Sequence, residues 1–515
     1  MASGSVRVLM VSSEVESLAR TGGLGDAVEA LSKALGILGA DVVVVTPKYG
    51  VTRLPADVRL WERSVMAPLG LGHARELGVL ETRLGDASAA PASSRRPSAA
   101  SATSAANVAR PTSANHAPRV CLLCDSELYD RDGIYGDRRG TFTDNPFRFA
   151  TLASGALSVA ERAWGGELPH VVHAHDWHAA LAVIYARRTR GPAWARVPTA
   201  LTIHNLAFQG VFPPSELDYV AIPRDLWDAG RVRHEGAINV MKGAIDLADR
   251  VTTVSENYAR EIQHAPHGFG LEAHLRWNSG KLLGIVNGID TVSFDPRTDG
   301  AIARRYGPGD APQGKRACKE SLCAELGIAS DGPLFAVVSR LQWLKGIDMF
   351  LGILPALVDR GARVAFVGTG EPELEGALRG AAARWPGRVA ARVAFDPTLA
   401  RRIFAGTDFL VVPSRDEPCG LTQMYAMRYG AIPVVTPVGG LRDTVEPVDV
   451  AHATGTGIVA AGTDPPSLLL ACEDALGLWR DPIGFESLIA RAMARDSSWD
   501  ESARRYLAMY RTLAA

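Results

Sequence analysis

Short apolar segments recur along the whole chain, and the stretches between them carry apolar residues at helical spacing. In the first half the apolar segments are residues 6–11, 42–45, 119–124, 170–174, 199–203 and 251–254, and in the second half they are residues 282–286, 334–338, 364–367, 391–395, 409–412 and 434–435. Residues 145–163 and 179–187 are two of the helical stretches. Strands that alternate with helices form parallel sheets whose faces are covered by helices. The pattern therefore predicts an α/β chain with two Rossmann-like domains.

The predicted domain boundaries follow from this alternation. We expect an N-terminal Rossmann-like domain at residues 1–257 and a C-terminal Rossmann-like domain at residues 258–486. Residues 487–515, which have helical spacing up to residue 513, are predicted to return to the first domain. Residues 85–118 interrupt the pattern, because they are mainly Ala, Ser, Pro and Thr and cannot bury enough apolar surface to order themselves. They are predicted to be a disordered insertion.

Composition and charge argue against several classes of function. The 515 residues carry a formal net charge of −1 at pH 7, which gives no electrostatic basis for binding nucleic acid or an anionic membrane. The opening residues run straight into a strand pattern, unlike a signal peptide, and we find no apolar run of 18 residues. We therefore expect a soluble cytoplasmic protein. Its oligomeric state stays open, a homo-oligomer included.

Residues 411–429 predict a strand, a turn-rich loop and the start of a helix. Such a loop presents free backbone N–H groups and the positive end of a helix dipole, which suit a phosphate or diphosphate. Glu417 lies just before this predicted anion site. A carboxylate is unfavourable there unless it binds ligand hydroxyls or stabilises a cationic transition state. The alternative is a carboxylate that the helix dipole favours at the helix N-terminus.

The sequence TGGLGD after the first predicted strand forms a second glycine-rich segment before a helix. Its spacing is not GxGxxG, so the glycines alone are a weak signal. Arg20 comes immediately before it and supplies a cation for phosphate. Asp26, at the predicted helix start, either caps the helix or binds sugar hydroxyls.

Two predicted strands of the first half end in polar residues, at the edge where parallel α/β sheets bind ligands. The sequence HAHDWH contains His175, and HNLAFQG contains His204, Asn205 and Gln209. These side chains suit the hydroxyl groups of a carbohydrate. A zinc site is the alternative, but alternate residues of a strand point to opposite faces, and no HxxH or HExxH motif accompanies the histidines.

In the second half, Arg340 and Lys345 follow the strand predicted at residues 334–338. Two cations at the carboxyl end of a strand match a diphosphate, and the alternative is a solvated basic turn. The sequence VGTG follows the next predicted strand. Its glycines allow a base or a ribose to approach the backbone closely.

Nine motifs, in order along the chain, together resemble the bacterial glycogen synthase and plant starch synthase family of the ADP-glucose-using type. They are TGGLGD, HAHDWH, TIHNLAFQG, VNGID, SRLQWLKG, VGTG, SRDEPCGLTQMYAMRYG, PVVTPVGGL and a later GTG. The resemblance runs nearly end to end, apart from residues 85–118. It implies a retaining glycosyltransferase of the GT-B fold, with the active site in the cleft between the domains and with no metal or other cofactor.

The resemblance also implies a role for each matching residue. Arg340 and Lys345 would neutralise the nucleotide diphosphate and stabilise the leaving group. Glu417 would bind glucose hydroxyls and support the oxocarbenium-like transition state, with His175 and Asp144 near the sugar. The remaining predicted substrate-binding residues, which include the first glycine loop and the phosphate-binding backbone, are Arg20, Gly23, Asp26, His204, Asn205, Gln209, Gly368, Thr369, Gly370, Cys419, Gly420, Leu421 and Thr422.

The implied reaction is transfer of glucose from ADP-glucose to the 4-hydroxyl at the non-reducing end of an α-1,4-glucan such as glycogen, with retention at the anomeric carbon. One alternative is a related GT-B enzyme that uses UDP-glucose or makes a small sugar or maltosyl phosphate. Another is a non-catalytic glucan-binding protein. The presence of Glu417, Arg340 and Lys345 argues against the last, because a binding module does not need cations for a leaving group.

The chain departs from the usual family pattern at four positions. Arg20 stands where Lys is usual, which keeps the charge but changes the hydrogen-bond geometry. Ala27 replaces a usual Val, Glu256 replaces a usual Pro, and Asp416 stands where an aromatic residue is common. Asp416 adds negative charge beside Glu417, and we expect it to weaken donor binding or to alter the sugar pocket.

Overall fold

The structure is a computed structural model, and it describes residues 5–61, 63–85 and 117–515. The predicted disordered insertion at residues 85–118 lies outside these ranges except for its ends. The described chain divides into two compact units. Unit 1 consists of Met1–Val251 and Asp500–Ala515, and unit 2 of Thr252–Trp499.

The strands alternate with helices along both units, as the apolar pattern predicts. In chain order they are β1 (Arg7–Val11), β2 (Asp41–Pro47), β3 (Arg59–Leu60), β4 (Val65–Pro68), β5 (Ala74–Arg83), β6 (Arg119–Cys124), β7 (Gly136–Asp137), β8 (Gly140–Thr141), β9 (Val171–His175), β10 (Thr199–Ile203), β11 (Val211–Phe212), β12 (Arg233–His234), β13 (Ala237–Asn239), β14 (Arg250–Thr253), β15 (Leu282–Gly284), β16 (Leu334–Val338), β17 (Arg363–Val367), β18 (Val389–Arg392), β19 (Phe409–Val412), β20 (Ile432–Val435) and β21 (Ile458–Val459).

The α-helices, again in chain order, are α1 (Gly23–Ile37), α2 (Ser126–Tyr129), α3 (Asn145–Ala163), α4 (Asp176–Arg188), α5 (Pro192–Ala195), α6 (Arg224–Asp228), α7 (Val240–Leu247), α8 (Glu256–Glu261), α9 (Glu272–Trp277), α10 (Ala311–Leu326), α11 (Ile347–Asp359), α12 (Pro372–Arg384), α13 (Pro397–Gly406), α14 (Thr422–Arg428), α15 (Gly439–Thr444), α16 (Pro465–Trp479), α17 (Pro482–Ala494) and α18 (Asp500–Ala514). No helix in the described ranges is both long enough and apolar enough to cross a membrane.

Unit 1 is built on a sheet in which the strands follow the order β10-β9-β1-β2-β6-β5-β3, with β4 also paired to β5. The strands from β10 to β6 are parallel, and β5 pairs antiparallel with β6. In the register, Met10 lies opposite Val44 on one side and His173 on the other. All five residues of β9 and of β10 are buried, as expected for strands covered on both faces.

Unit 2 contains a fully parallel sheet of six strands in the order β18-β17-β16-β19-β20-β21. In the register, Ala336 lies opposite Ala365 and Leu410. Its core is one continuous cluster of buried side chains from the strands and from the helices packed on them. Because the strands are parallel, their carboxyl ends bring the loops after β16, β17 and β19 to one edge.

Several predicted elements have the observed bounds, and others differ from the observed bounds at one or both ends. The strands at 119–124, 199–203, 334–338 and 409–412 and the helix at 145–163 are confirmed. The strand predicted at 391–395 is in fact Val389–Arg392. Its pairing runs from Val364 opposite Val389 to Val367 opposite Arg392, so it stops where β17 stops. The apolar run continues beyond that point into a loop where Phe395 is 79% exposed.

The single helix predicted at 487–513 is also wrong, because the chain forms α17 and α18 with a break between them. The amide of Ile289 donates a hydrogen bond to the carbonyl of Ser497 at 2.8 Å, which draws the segment between the helices out of helical pairing. Helix α17 packs in the core of unit 2, where the rings of Phe485 and Phe409 lie 5.3 Å apart. The segment grouped with unit 1 therefore begins at Asp500 and not at residue 487, and the first boundary lies after Val251 and not after residue 257.

Candidate active site

The loop after β19 fixes four consecutive side chains. The Ser414 hydroxyl donates to Glu417 Oε2 at 3.0 Å, and Arg415 forms two 2.7 Å hydrogen bonds with Asp348. Asp416 contacts His267, and Glu417 Oε2 accepts a second hydrogen bond, at 2.7 Å, from Lys345 Nζ. Glu417 is therefore held in one place by an ion pair and a hydroxyl, and is not a freely solvated helix carboxylate.

Lys345 ends a single helical turn, Trp343–Lys345, between β16 and α11. Both it and Glu417 have side chains that are 14% exposed, so the ion pair is mostly shielded from water. Gly346 follows with φ +65° and leads into α11. A Cβ built on Gly346 would lie 1.8 Å from the carbonyl oxygen of Pro413. The glycine thus lets the lysine turn pack directly on the loop that carries Glu417.

We expect Gly346→Ala to lower the free energy of unfolding by about 2–4 kcal/mol, because the change adds a steric overlap to an unfavourable backbone conformation. Urea denaturation measures this loss. The matched control is Gly352→Ala in the same helix, where a new Cβ meets nothing within 4 Å. That control should raise stability by about 0.5–1 kcal/mol through helix propensity. Equal stability of the two variants would contradict the close packing of Gly346.

Arg340 lies two residues beyond β16 and is exposed. Its guanidinium has no hydrogen-bond or ion-pair partner within residues 5–61, 63–85 and 117–515. This contrasts with Lys345, which is already paired. Arg340 is therefore a cation of unit 2 that is free to bind an anionic ligand.

The glycines at 368 and 370 are needed for packing within the protein, whether or not a ligand binds there. A Cβ on Gly368 would lie 1.9 Å from the carbonyl oxygen of Ser339, and one on Gly370 would lie 2.0 Å from that of Leu341. The amide of Leu341 donates to the carbonyl of Thr369 at 2.9 Å. The close approach that the sequence predicts for a base or ribose is thus made by the neighbouring loop of the protein, which accounts for both glycines without a ligand.

The predicted anion-binding backbone at 420–422 precedes α14, and no side chain caps this helix start. Gly420 has φ +71°, and the Gln423 side-chain amide donates to its carbonyl oxygen at 2.7 Å. Leu421 is the N-cap residue, and Thr422 begins the helix. Cys419 is buried, which raises the pKa of its thiol to about 12. Its side chain is therefore a neutral packing group.

In unit 1, most of the TGGLGD segment is helical and not the predicted loop, because α1 already begins at Gly23. The buried Glu14 carboxylate explains this early start, since it accepts hydrogen bonds from the Thr21 amide at 2.6 Å, the Thr21 hydroxyl at 2.9 Å and the Gly22 amide at 3.2 Å. Tyr135 donates a further hydrogen bond to Glu14 at 2.5 Å. The glycine segment is thus anchored by a carboxylate that the sequence analysis did not single out.

Arg20 is not a free cation. Its guanidinium binds Glu16 at 2.9 Å and also pairs with Asp26. Burial, followed by repulsion from Asp26, raises the pKa of Glu16 to about 7. Asp26 lies in the first turn of α1, where it neither caps the helix nor remains unpaired. A diphosphate would have to compete with two carboxylates for Arg20.

The structure brings His175 and His204 together at the ends of β9 and β10, with 3.0 Å between His175 Nδ1 and His204 Nε2. Burial lowers the pKa of His204 to about 3 and holds the pKa of His175 well below its ordinary value. Both rings are therefore neutral. His175 Nε2 is buried and has no hydrogen-bond partner in the described part of the chain. This nitrogen is available to a ligand hydroxyl.

Asn205 and Gln209 are less available than predicted. The Asn205 side-chain oxygen accepts from the Ala207 amide at 2.9 Å, and that of Gln209 accepts from Asn239 at 2.6 Å. Asp176, which the sequence analysis left without a role, accepts from the His204 amide at 2.7 Å and has φ +56°. Burial raises the pKa of Asp176 to about 7. It holds the loop after β10 in place.

Asp144 immediately precedes α3, and both of its carboxylate oxygens bind Arg131, at 2.8 and 2.7 Å. A role beside the sugar would therefore be shared with this arginine.

Phe395 is a further candidate for contact with a ligand. The sequence does not indicate this role, because Phe395 falls within the apolar run that predicts a strand. It follows β18 at the same carboxyl edge as Gly368, whose amide bonds to the Arg392 carbonyl at 3.3 Å.

Among the described residues, no three His, Cys, Asp or Glu side chains are arranged to hold a metal ion. The geometry instead offers a shielded Lys–Glu pair and an exposed arginine in unit 2, and neutral histidines with an unsatisfied nitrogen in unit 1. Fixed cations suit an anionic leaving group, and a carboxylate with neutral imidazoles suits a polyhydroxylated ligand.

Comparison with known proteins gives a consistent result. Residues 7–277 match the family model described as "Starch synthase catalytic domain", and residues 332–477 match "Glycosyl transferases group 1". A glycogen synthase of Myxococcus xanthus is 39% identical over 520 residues, covering 99% of this chain and 100% of the relative. One from an Anaeromyxobacter species is 40% identical over 514 residues, with the same coverage of each chain.

Solved structures agree with these matches. The catalytic domain of starch synthase IV from Arabidopsis thaliana, bound to ADP and acarbose, has a TM-score of 0.85 and 27% identity and covers 99% of this chain and 100% of its own. A sucrose-phosphate synthase from Thermosynechococcus elongatus has a TM-score of 0.58 at 18% identity, with 99% of both chains covered, and this likeness concerns the fold alone.

Proposed function

Because the chain belongs to the glycogen synthase and starch synthase family, we propose that it elongates an α-1,4-glucan such as glycogen with glucose from ADP-glucose. The GT-B fold predicted from the motifs is confirmed by the TM-score of 0.85 to a starch synthase. The observation that carries the chemistry is the pairing of Lys345 with Glu417 at 2.7 Å, in the unit that also presents the unpaired Arg340.

The proposed transfer retains the configuration at the anomeric carbon. The bond from glucose C1 to the diphosphate oxygen breaks, and a bond from C1 to O4 of the acceptor forms on the same face. The acceptor hydroxyl proton passes to the departing phosphate, so the products are ADP and a glucan longer by one glucose. Charge develops on the diphosphate and, with opposite sign, on the sugar ring.

Lys345 and Arg340 are the groups we assign to the diphosphate, together with the backbone N–H groups of residues 420–422. Glu417 is assigned to the glucose hydroxyls and to the positive charge on the ring. Because Glu417 and Lys345 already hold each other, both are oriented before the substrate arrives and need little reorganisation. The side chain of Phe395 offers an exposed flat face for stacking against the adenine.

In unit 1, His175 is assigned to a glucose hydroxyl through its unsatisfied Nε2. His204 fixes the orientation of the ring through the 3.0 Å hydrogen bond to Nδ1. Arg20 is assigned to the phosphates in exchange for its carboxylate partners. The proposal includes no metal, because protein cations supply the positive charge, and it keeps the cytoplasm as the predicted location.

The test is incorporation of labelled glucose into a glycogen primer from ADP-glucose or UDP-glucose, each in EDTA and each with added Mg²⁺. We expect strong preference for ADP-glucose and equal rates with and without metal. Preference for UDP-glucose would show that the protein is instead a related GT-B enzyme that uses UDP-glucose. Activity that disappears in EDTA would contradict the metal-free mechanism, and no transfer from either donor would favour a non-catalytic glucan-binding protein.

A further inference from the structure

Asp416 is the neighbour of Glu417 and is almost completely buried, with 4% of its surface exposed. Its side-chain partner is His267, whose Nδ1 lies 3.4 Å from Asp416 Oδ1. His267 belongs to the segment between α8 and α9, which is far from residue 416 in sequence but in the same unit. The departure from the usual aromatic residue at 416 therefore comes with a specific partner for the new charge.

Two adjacent carboxylates need more than one cation. Lys345 is taken by Glu417, and a buried carboxylate without a counter-charge is strongly unfavourable. If His267 were neutral, Asp416 would either compete for Lys345 or turn towards solvent. Either movement would displace Glu417, because the two residues are consecutive.

Residues near the His267–Asp416 pair are also connected to Glu417 through backbone contacts. Glu261, at the end of α8, accepts a hydrogen bond from the Gly439 amide at 2.9 Å. A Cβ on Gly439 would lie 2.0 Å from the Glu417 carbonyl oxygen, and the Gly440 amide donates to that oxygen at 3.0 Å. Helix α8, which leads into the segment that carries His267, is thus connected to the backbone of Glu417 through Gly439.

We infer that His267, in its protonated form, and Asp416 are positioning residues that hold Glu417 against Lys345. The inference rests on the proposed function, in which Glu417 acts on the donor glucose. His267 itself is not placed in contact with substrate. Its charge neutralises Asp416, so that Asp416 does not compete with Glu417 for Lys345.

The protonation state of His267 has a measurable consequence. The hydrogen bond to Asp416 raises the pKa of His267 above its ordinary value, although partial burial opposes this, and the charges that act on the ring are Asp416 and Glu261. A raised folded-state pKa means that the pair stabilises the protein fully below the unfolded pKa and loses this effect as pH rises through the folded pKa. Glucose transfer should decline over the same pH window.

The experiment compares wild type with His267→Gln, Asp416→Asn and the double variant between pH 6 and 9. At pH 6, His267→Gln should lower kcat by about tenfold to a hundredfold while KM for ADP-glucose changes little, since misplacement of a catalytic group acts on turnover. The deficit should shrink as pH rises through the folded-state pKa of His267, because the wild type then loses the same charge. Asp416→Asn in the His267→Gln background should restore most of kcat, because no buried charge is then left unpaired.

Two results would overturn the inference: wild-type turnover of His267→Gln at every pH, or a deficit that neither varies with pH nor is rescued by Asp416→Asn. Thermal unfolding without substrate is the independent readout. His267→Gln should melt about 2–4 °C below wild type at pH 6, with the difference shrinking towards pH 9. Failure of the wild type to transfer glucose would refute the proposed function. The melting series would still decide whether the pair exists.

Discussion

Replacing Lys345 by glutamine should lower the turnover of glucose transfer by about 10²–10³-fold, the loss seen when one preorganised electrostatic group is removed from an active site. Glutamine keeps a hydrogen-bond donor but removes the charge. The diphosphate then departs without the lysine cation, and Glu417 loses the ion pair that orients it at 2.7 Å. Because the missing interaction strengthens as the bond to the diphosphate breaks, kcat should fall more than KM for ADP-glucose rises.

The chain offers a matched control at the opposite end of the same strand. Lys319 pairs with Asp408 at 2.6 Å, and their side chains are 11% and 12% exposed, close to the 14% of the Lys345 pair. Asp408 precedes β19, whereas Glu417 follows it. Lys319→Gln should therefore lower the free energy of unfolding about as much as Lys345→Gln does. It should leave kcat of the folded enzyme near the wild-type value. If both variants lost turnover equally, the effect of Lys345 would be structural and the leaving-group role would be wrong.

The sequence predicted this pair only as two separate groups. Lys345 and Glu417 were each identified because they follow apolar strands, and parallel strands place such loops at one edge. Their mutual hydrogen bond could not be foreseen, since 72 residues separate them and both lie in connecting segments, where no periodic pattern indicates the direction of a side chain. The same limit applies to His267 and Asp416, which are 149 residues apart. Long-range partners depend on how loops pack, and loop packing is not periodic.

For other predicted site residues, local patterns did not show the contacts that the protein itself makes. The glycines at 368 and 370 were predicted to admit a ligand, but adjoining backbone already occupies the space that a Cβ would fill. Arg20 was predicted as a phosphate cation, and its pairing with Glu16 depends on a side chain that belongs to no recognised motif. Composition and spacing show where a charge is placed along the chain. Its partners are set by burial, which only the folded structure defines.

A second large effect is expected from Arg148, which is fully buried in unit 1. Its guanidinium donates to the carbonyl oxygens of Leu128 at 2.7 Å and Ile134 at 2.8 Å, and to the Asn145 side-chain oxygen at 2.6 Å. It also lies 4.9–5.9 Å from the ring centres of four aromatic residues, which are Tyr49, Tyr129, Phe142 and Phe149. Burial lowers the pKa of this arginine, so its charge is retained at a cost in solvation.

Arg148→Met should lower the free energy of unfolding by about 3–5 kcal/mol, as measured by urea denaturation. Methionine removes the buried charge, which by itself would be favourable, but it leaves the carbonyls of Leu128 and Ile134 and the Asn145 oxygen without their donor. Arg148→Lys is the control, because it keeps the charge with fewer correctly placed donors and should fall between wild type and Arg148→Met. A loss below about 1 kcal/mol for Arg148→Met would show that these acceptors find other partners.

Arg148→Met should also affect the order of the TGGLGD segment. Arg148 bonds to the carbonyl of Ile134, whose neighbour Tyr135 donates a hydrogen bond to Glu14 at 2.5 Å. Glu14 in turn accepts hydrogen bonds from the amides of Thr21 and Gly22 at the start of α1. We therefore expect folded Arg148→Met to show a raised KM for ADP-glucose, with kcat less affected, because the segment assigned to the phosphates is less well ordered. An unchanged KM would mean that Glu14 holds the segment without Tyr135.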